Sequence, residues 1–113
     1  MFHGTDNEAL PVHEGLCLTP REDAAEDYAR NAAGYDGRLH EVSLDLDGLT
    51  VLEAAGYDRD ANRACGDGTE AYGADVLVFT DESPKGREHL TYRLMTAAAL
   101  AAVTVITTSI TDW

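Results

Sequence analysis

Basic residues are the scarcest charged class in this 113-residue sequence, in which eight lysines and arginines oppose 21 aspartates and glutamates. The formal net charge is -13 at pH 7. Recognition of a nucleic-acid backbone requires a concentrated basic face, and scattered cations in an acidic chain do not form one. Direct nucleic-acid binding is therefore disfavoured. An acidic surface can steer a protein toward a basic partner, and acidic mimicry of nucleic acid stays open.

Other absences narrow the class of protein further. The two cysteines, Cys17 and Cys65, cannot form a disulfide scaffold, and they and the histidines show no metal-ligand spacing. The longest apolar run, in Met95–Ile106, is interrupted by threonine and is too short to span a bilayer. The first residues do not combine basic and apolar stretches as a secretory signal does. We expect a cytoplasmic protein with no metal and no membrane association.

Length and composition predict one domain over residues 1–113. Apolar residues make up 44% of the chain and charged residues 26%, which is ordinary globular usage. A chain of this size buries enough surface for one modest core. No repeat or linker divides the sequence, so a single fold is expected.

The strongest local signal predicts an early helix. Thr19-Pro20-Arg21-Glu22 has the pattern of a capping box, with proline at the first helical position and Glu three residues after the cap. Ala25, Tyr28, Ala29 and Ala32 then share one face at helical spacing, and Gly34 supplies a stop. The sequence predicts a helix that buries this mostly alanine face, with Tyr28 as its one large side chain.

Most of the remaining chain has strand patterns, which together predict an α+β domain with a sheet core. Continuous apolar character predicts that Ala74–Thr80 is a central strand, and Asp47-Gly48 and Ser83–Gly86 are typical turns. The segment Tyr57–Gly73 is polar, with one helical turn expected at Ala61–Cys65. The other predicted elements are strands in Met1–Thr5, Gly15–Thr19, Arg38–Asp47, Glu88–Leu94 and Thr104–Ile110, an apolar stretch at Leu49–Leu52 and a short helix in Thr96–Ala102.

Three separated segments carry residues suited to chemistry. They are FHGT at residues 2–5, GLCLT at residues 15–19 with the helix that bears Tyr28, and the late hairpin with Asp81 and Glu88. In this order they resemble the ADP-ribosyltransferase superfamily, in the branch named for a His–Tyr–Glu triad that includes the poly-ADP-ribose polymerases. The resemblance implies a compact ADP-ribosyltransferase-like split β-sheet with one well-defined helix. It also implies NAD as the cofactor.

The resemblance assigns roles that fit the chemistry of cleaving NAD. Breaking the nicotinamide–ribose bond builds positive charge on the ribose, as in glycoside hydrolysis, and a carboxylate can stabilise that charge or deprotonate the acceptor. The catalytic acid would be Glu88, which opens the EHLTYRL strand, in preference to Asp81, which ends the preceding strand. His3 would grip ribose hydroxyls, Gly4 would let backbone approach the nicotinamide, and Tyr28 would stack on its ring.

The sequence departs from the family at Cys17, which stands where the middle tyrosine of the triad is found. Thr5 and Thr19 complete the expected cofactor-binding set with Cys17. Either Arg21, near the positive end of the predicted helix, or Arg93 would help to hold the phosphates.

The implied activity is mono-ADP-ribosylation of a macromolecule, with a basic protein as target. Such a short chain suits a phage effector that inactivates a host defence complex, as an anti-CRISPR transferase does. Three alternatives stay open: an NAD glycohydrolase, an RNA 2′-phosphotransferase, and a non-enzymatic acidic binding protein or nucleic-acid mimic on the same fold. The phosphotransferase usually needs basic residues for RNA that this chain lacks.

Overall fold

The computed structural model describes residues 1–33, 36–53 and 74–110, which form an α+β fold. The predictions for Tyr57–Gly73 and Gly34 lie outside the described residues. In chain order, the elements are β1 (Phe2–Thr5), β2 (Leu16–Leu18), α1 (Glu22–Ala33), β3 (Arg38–Leu44), β4 (Val51–Glu53), β5 (Val76–Glu82), β6 (Glu88–Leu94), α2 (Ala97–Ala101) and β7 (Val103–Ile110).

The strands form two sheets that meet near the start of the chain. One sheet has the order β1-β3-β7 and the other β2-β6-β5-β4, and the described pairs are antiparallel except β4 with β5. Phe2 and Thr19 connect the sheets by exchanging two backbone hydrogen bonds, of 2.7 and 2.9 Å. This bridge brings the end of β2 beside the start of β1.

The main hydrophobic core includes side chains from both sheets and α2. Most of its fully buried members belong to the four-stranded sheet, while Val42 on β3 and Ala99 on α2 come from outside it. As predicted from its apolar run, β5 is an interior strand. The contributions of the four-stranded sheet are Leu16, Leu18, Val76, Val78 and Leu94.

Helix α1 begins later than the capping box predicts. Its first residue is Glu22, and the Arg21 carbonyl accepts the first helical hydrogen bond, from Ala25 N–H at 3.2 Å. Thr19 is held in extended backbone by its bridge to Phe2, and its hydroxyl accepts from the Arg21 N–H at 3.2 Å instead of from the third helical residue. A long-range backbone pairing thus overrides a local capping signal.

The buried face of α1 also differs from the predicted stripe. Ala25 and Ala29 are buried as predicted, but Ala32 is exposed and Tyr28 is half-buried. Asp27 is only 2% exposed, since its carboxylate accepts from Ser83 Oγ at 2.7 Å and pairs with Arg87 Nε at 2.9 Å. A polar residue occupies this face because it binds the β5–β6 turn.

The strand predictions are confirmed with shifted ends. β6 has the predicted bounds, and Thr96 caps α2 by accepting from Ala99 N–H. β3 has a bulge between Glu41 and Val42 and ends at Leu44, three residues before the predicted end at Asp47. Leu46 is accordingly exposed. No helix within the described ranges is long and apolar enough to cross a bilayer.

Candidate functional site

A cavity of about 230 Å³ lies where β1, β2, α1, β5 and β6 meet. It receives side chains from all three segments that the sequence singled out. Phe2 and Thr19, which pair through their backbones, both line it. Its lining residues are Phe2, His3, Gly4, Cys17, Leu18, Thr19, Ala25, Tyr28, Asp81, His89, Thr91 and Arg93.

Strand alternation decides which side chains of the hairpin reach the cavity. Asp81 is paired with His89 across β5 and β6, and successive residues of a strand point to opposite faces. His89, Thr91 and Arg93 therefore share the cavity face. Glu88 lies one position away, is exposed, and is not among the lining residues.

One ring nitrogen of His3 is hydrogen-bonded to the protein backbone. Its Nδ1 lies 2.7 Å from the Cys17 carbonyl oxygen, which can only accept, so Nδ1 carries the proton. Burial lowers the pKa of His3, and the raising effect of the Cys17 hydrogen bond is smaller. The neutral ring therefore has Nε2 as a hydrogen-bond acceptor at the cavity wall.

The burial of His3 predicts a pH-dependent stability. Because the pKa of His3 is lower in the folded protein than its usual value of about 6.5, the unfolded chain binds this proton first as pH falls. The free energy of unfolding should therefore decrease below about pH 6.5 and level off below the folded pKa. Urea unfolding of wild type and His3→Gln from pH 8 to pH 5 measures this: the variant should lose less stability across the range. At pH 8, His3 is neutral in both the folded and the unfolded state. The difference in the free energy of unfolding between wild type and variant at that pH therefore measures only the loss of the contacts that His3 makes. Parallel profiles would contradict the prediction.

Tyr28 extends from α1 to the hairpin. Its hydroxyl donates to the Glu82 carbonyl at 3.1 Å and lies 2.9 Å from His89 Nε2. The Tyr28 and His89 rings meet edge-to-face, with centroids 5.5 Å apart and planes at 86°. Burial raises the pKa of the Tyr28 phenol, and the charge of Asp81 raises it further. The phenol therefore stays protonated, and its ring lines the cavity.

The two candidate carboxylates have different surroundings. Asp81 is partly buried and lines the cavity, and its Oδ1 accepts from the Glu82 N–H at 2.8 Å. Glu88 contributes its backbone carbonyl to Arg21, which donates to it at 2.8 Å. The geometry thus favours Asp81 over Glu88 as the carboxylate of this cavity.

The predicted small residues divide between lining and support. Gly4 lines the cavity, and a Cβ on it would meet the backbone of Ala25 and Ala29 in α1. Thr19 lines the cavity and is buried. Thr5 is buried outside the lining, where its hydroxyl accepts from the backbone N–H of Asn7 at 3.2 Å. Thr5 therefore organises the loop after β1.

Cys17 stands in the lining next to a cation. Its thiol donates to the Gly15 carbonyl at 3.3 Å, and its sulfur accepts from Arg93 Nε–H, also at 3.3 Å. The Arg93 guanidinium carbon lies 5.0 Å from the centre of the Phe79 ring, within cation–π range. Phe79 thus supports the Arg93 guanidinium, while Cys17 offers no ring to the cavity.

Arg21 lies outside the cavity and takes part in an ion-pair cluster that holds the hairpin to α1. It binds Asp23 at 2.6 Å, and Asp23 in turn pairs with Arg87 at 2.9 Å. Arg87 also pairs with Asp27. Because Arg93 lines the cavity and Arg21 does not, Arg93 is the better placed of the two predicted phosphate-binding arginines.

His89 and Thr91 are lining residues that the sequence analysis did not identify. The signal was present: in EHLTYRL, alternation puts residues 89, 91 and 93 on the face opposite Glu88. The turn at Ser83–Gly86 also aligns residue 81 with residue 89.

In the described part of the chain, no three His, Cys, Asp or Glu side chains are grouped to hold a metal ion.

Comparison with protein-family models, curated proteins and solved structures gives no match for this chain.

Proposed function

We propose that this protein is an NAD-dependent mono-ADP-ribosyltransferase that modifies a macromolecule, with a protein as the expected acceptor. The observation that supports the proposal is the convergence of His3, Tyr28 and Asp81 on one cavity from three distant parts of the chain. An imidazole acceptor, an aromatic wall and a carboxylate are the groups that suit a ribose joined to a positively charged aromatic ring.

The size of the cavity suits one end of the dinucleotide. Pockets for drug-sized ligands occupy about 300–1,000 Å³, and this one has about 230 Å³. It can therefore hold the nicotinamide end, with the adenosine diphosphate part outside. Arg93 supplies positive charge among the described lining residues and would offset the repulsion between the phosphates and an acidic protein.

Each residue has a definite task in this proposal. When bound, NAD would supply a ribose carbon whose bond to nicotinamide breaks with both electrons leaving on nicotinamide, while the acceptor group forms the new bond to that carbon. Asp81 stabilises the positive charge that builds on the ribose, and it can accept the proton of the attacking acceptor group. His3 Nε2 accepts a hydrogen bond from a ribose hydroxyl. Tyr28 and the backbone of Gly4 confine the nicotinamide ring.

The acidic surface suggests the class of target. At a net charge of -13, long-range attraction would favour encounter with a basic protein. A nucleic-acid-binding host complex has the required charge, so we propose a phage-type effector acting on such a complex in the cytoplasm. Nucleic acid itself would be repelled.

The proposal is tested by incubating the protein with NAD labelled in the adenylate part, in the presence of candidate cell lysates. We expect nicotinamide release together with a labelled protein band, and both should be lost in Tyr28→Ala, which removes the cavity wall. A matched control is Tyr92→Ala, which removes a half-buried tyrosine that does not line the cavity. Its labelling per folded molecule should match wild type.

Other outcomes separate the alternatives. Nicotinamide release without a labelled band would favour an NAD glycohydrolase. No NAD consumption, with target binding that survives Tyr28→Ala, would contradict both enzymes and favour an acidic binding protein.

A further inference from the structure

A chain of polar contacts runs through the wall of the cavity from β6 to α1 and back to β5. Thr91 Oγ1 lies 3.4 Å from His89 Nδ1, His89 Nε2 lies 2.9 Å from the Tyr28 oxygen, and Tyr28 donates to the Glu82 carbonyl at 3.1 Å. His89 is 6% exposed, and its ring lines the cavity.

His89 holds the Tyr28 oxygen through Nε2, while its other ring nitrogen contacts its own strand. His89 Nδ1 lies 3.1 Å from the Leu90 carbonyl oxygen, which can only accept, and 3.4 Å from Thr91 Oγ1. A neutral imidazole has one N–H, so either Nδ1–H donates to Leu90 and Nε2 accepts from the Tyr28 hydroxyl, or Nε2–H donates to the Tyr28 oxygen and Nδ1 accepts from Thr91. In both states the 2.9 Å contact at Nε2 is a hydrogen bond that holds the Tyr28 hydroxyl.

This arrangement leaves the Tyr28 hydroxyl occupied by the protein. The phenol oxygen lies within hydrogen-bond distance of both the Glu82 carbonyl and His89 Nε2, and the edge-to-face contact with His89 fixes the ring plane. The ring surface is then the part of Tyr28 offered to a ligand. Direct proton transfer by the phenol would require both contacts to break.

We propose that His89 is a positioning residue that fixes the Tyr28 ring as a wall of the cavity, so that Tyr28 meets its ligand through the aromatic ring and not through the hydroxyl. This inference rests on the proposed function for the identity of the ligand. The hydrogen-bond geometry on which it depends is independent of NAD.

The first test observes Tyr28 without nucleotide. Protein labelled with ¹³C at tyrosine Cζ is compared as wild type, His89→Leu and His89→Gln, with Tyr28→Phe to assign the resonance. His89→Leu should shift the Tyr28 Cζ resonance. His89→Gln, whose amide can either donate to the phenol or accept from it, should restore part of the wild-type shift. The exposed His13→Leu should leave it unchanged.

The second test uses NAD. In His89→Leu, we expect the KM for NAD to rise about tenfold, the effect of one lost hydrogen bond in the wall, with kcat within about threefold of wild type. Tyr28→Phe and His89→Leu should be non-additive, because both remove the same contact.

An unchanged Cζ resonance in His89→Leu, or additive effects on KM, would overturn the positioning role. A fall in kcat alone would also overturn it, since that result assigns His89 to the chemical step. If wild type does not consume NAD, the proposed function fails, and the Cζ resonances still decide whether His89 positions Tyr28.

Discussion

Asp81→Asn is expected to reduce the rate of nicotinamide release by about 100- to 1,000-fold, the range found when one preorganised electrostatic group is removed from a site of charge development. The substitution keeps the shape of the side chain and removes its negative charge. Glu88→Gln makes the same chemical change seven residues later, and we expect it to stay within about twofold of wild type. The pair is a matched comparison of two carboxylates on one hairpin.

The expectation follows from strand register. Asp81 is paired with His89, and Glu82 with Glu88, so the two pairs project to opposite faces of the sheet. The cavity lies on the face of the first pair. The charge of Asp81 also raises the pKa of Tyr28, which agrees with a carboxylate close to the aromatic wall.

Rates should be measured at saturating NAD, with urea unfolding of each variant as a check on folding. A large loss in Glu88→Gln with an active Asp81→Asn would reverse the assignment and restore the preference drawn from the family motif. Equal, small losses in both folded variants would argue against a transferase mechanism in this cavity.

Local signals predicted most elements of the described fold, and long-range pairing explains where they failed. The bounds of β6 and the cap of α2 follow from alternation and from Thr96, both of which act within a few residues. The predicted start of α1 was wrong because Thr19 pairs with Phe2 across the sheets. No pattern near Thr19 could reveal that pairing.

The candidate site was likewise predicted in part from local signals, and the rest of it depends on tertiary structure. The motif around His3 and the helical position of Tyr28 led to residues that line the cavity. The preference for Asp81 over Glu88 depends on the register of the hairpin, which short motifs do not specify. The engagement of Arg21 with Asp23 and with the carbonyl of Glu88 depends on tertiary structure.

Gly4 was predicted to let backbone approach a ligand, but the structure gives it a second task. Its missing Cβ would point at the carbonyl oxygen of Ala25, closer than van der Waals contact, and would lie 2.7 Å from the backbone nitrogen of Ala29. Its φ is not positive, so alanine is excluded here by space and not by backbone conformation. Helix α1, and with it Tyr28, can lie against β1 only because residue 4 has no side chain.

Gly4→Ala should therefore lower the free energy of unfolding by about 3 kcal/mol or more, at the upper end of overpacking costs. Gly48→Ala is the comparison, because a Cβ there meets nothing within 4 Å and only its φ of 77° opposes alanine. That strain should cost about 1–2 kcal/mol. Adding Ala25→Gly to Gly4→Ala should restore no stability, since the obstructing atoms are backbone. Urea unfolding at pH 8 measures all four proteins. If Gly4→Ala retained wild-type stability but lost NAD binding, ligand approach alone would explain the glycine, and the close packing of α1 on β1 would be contradicted.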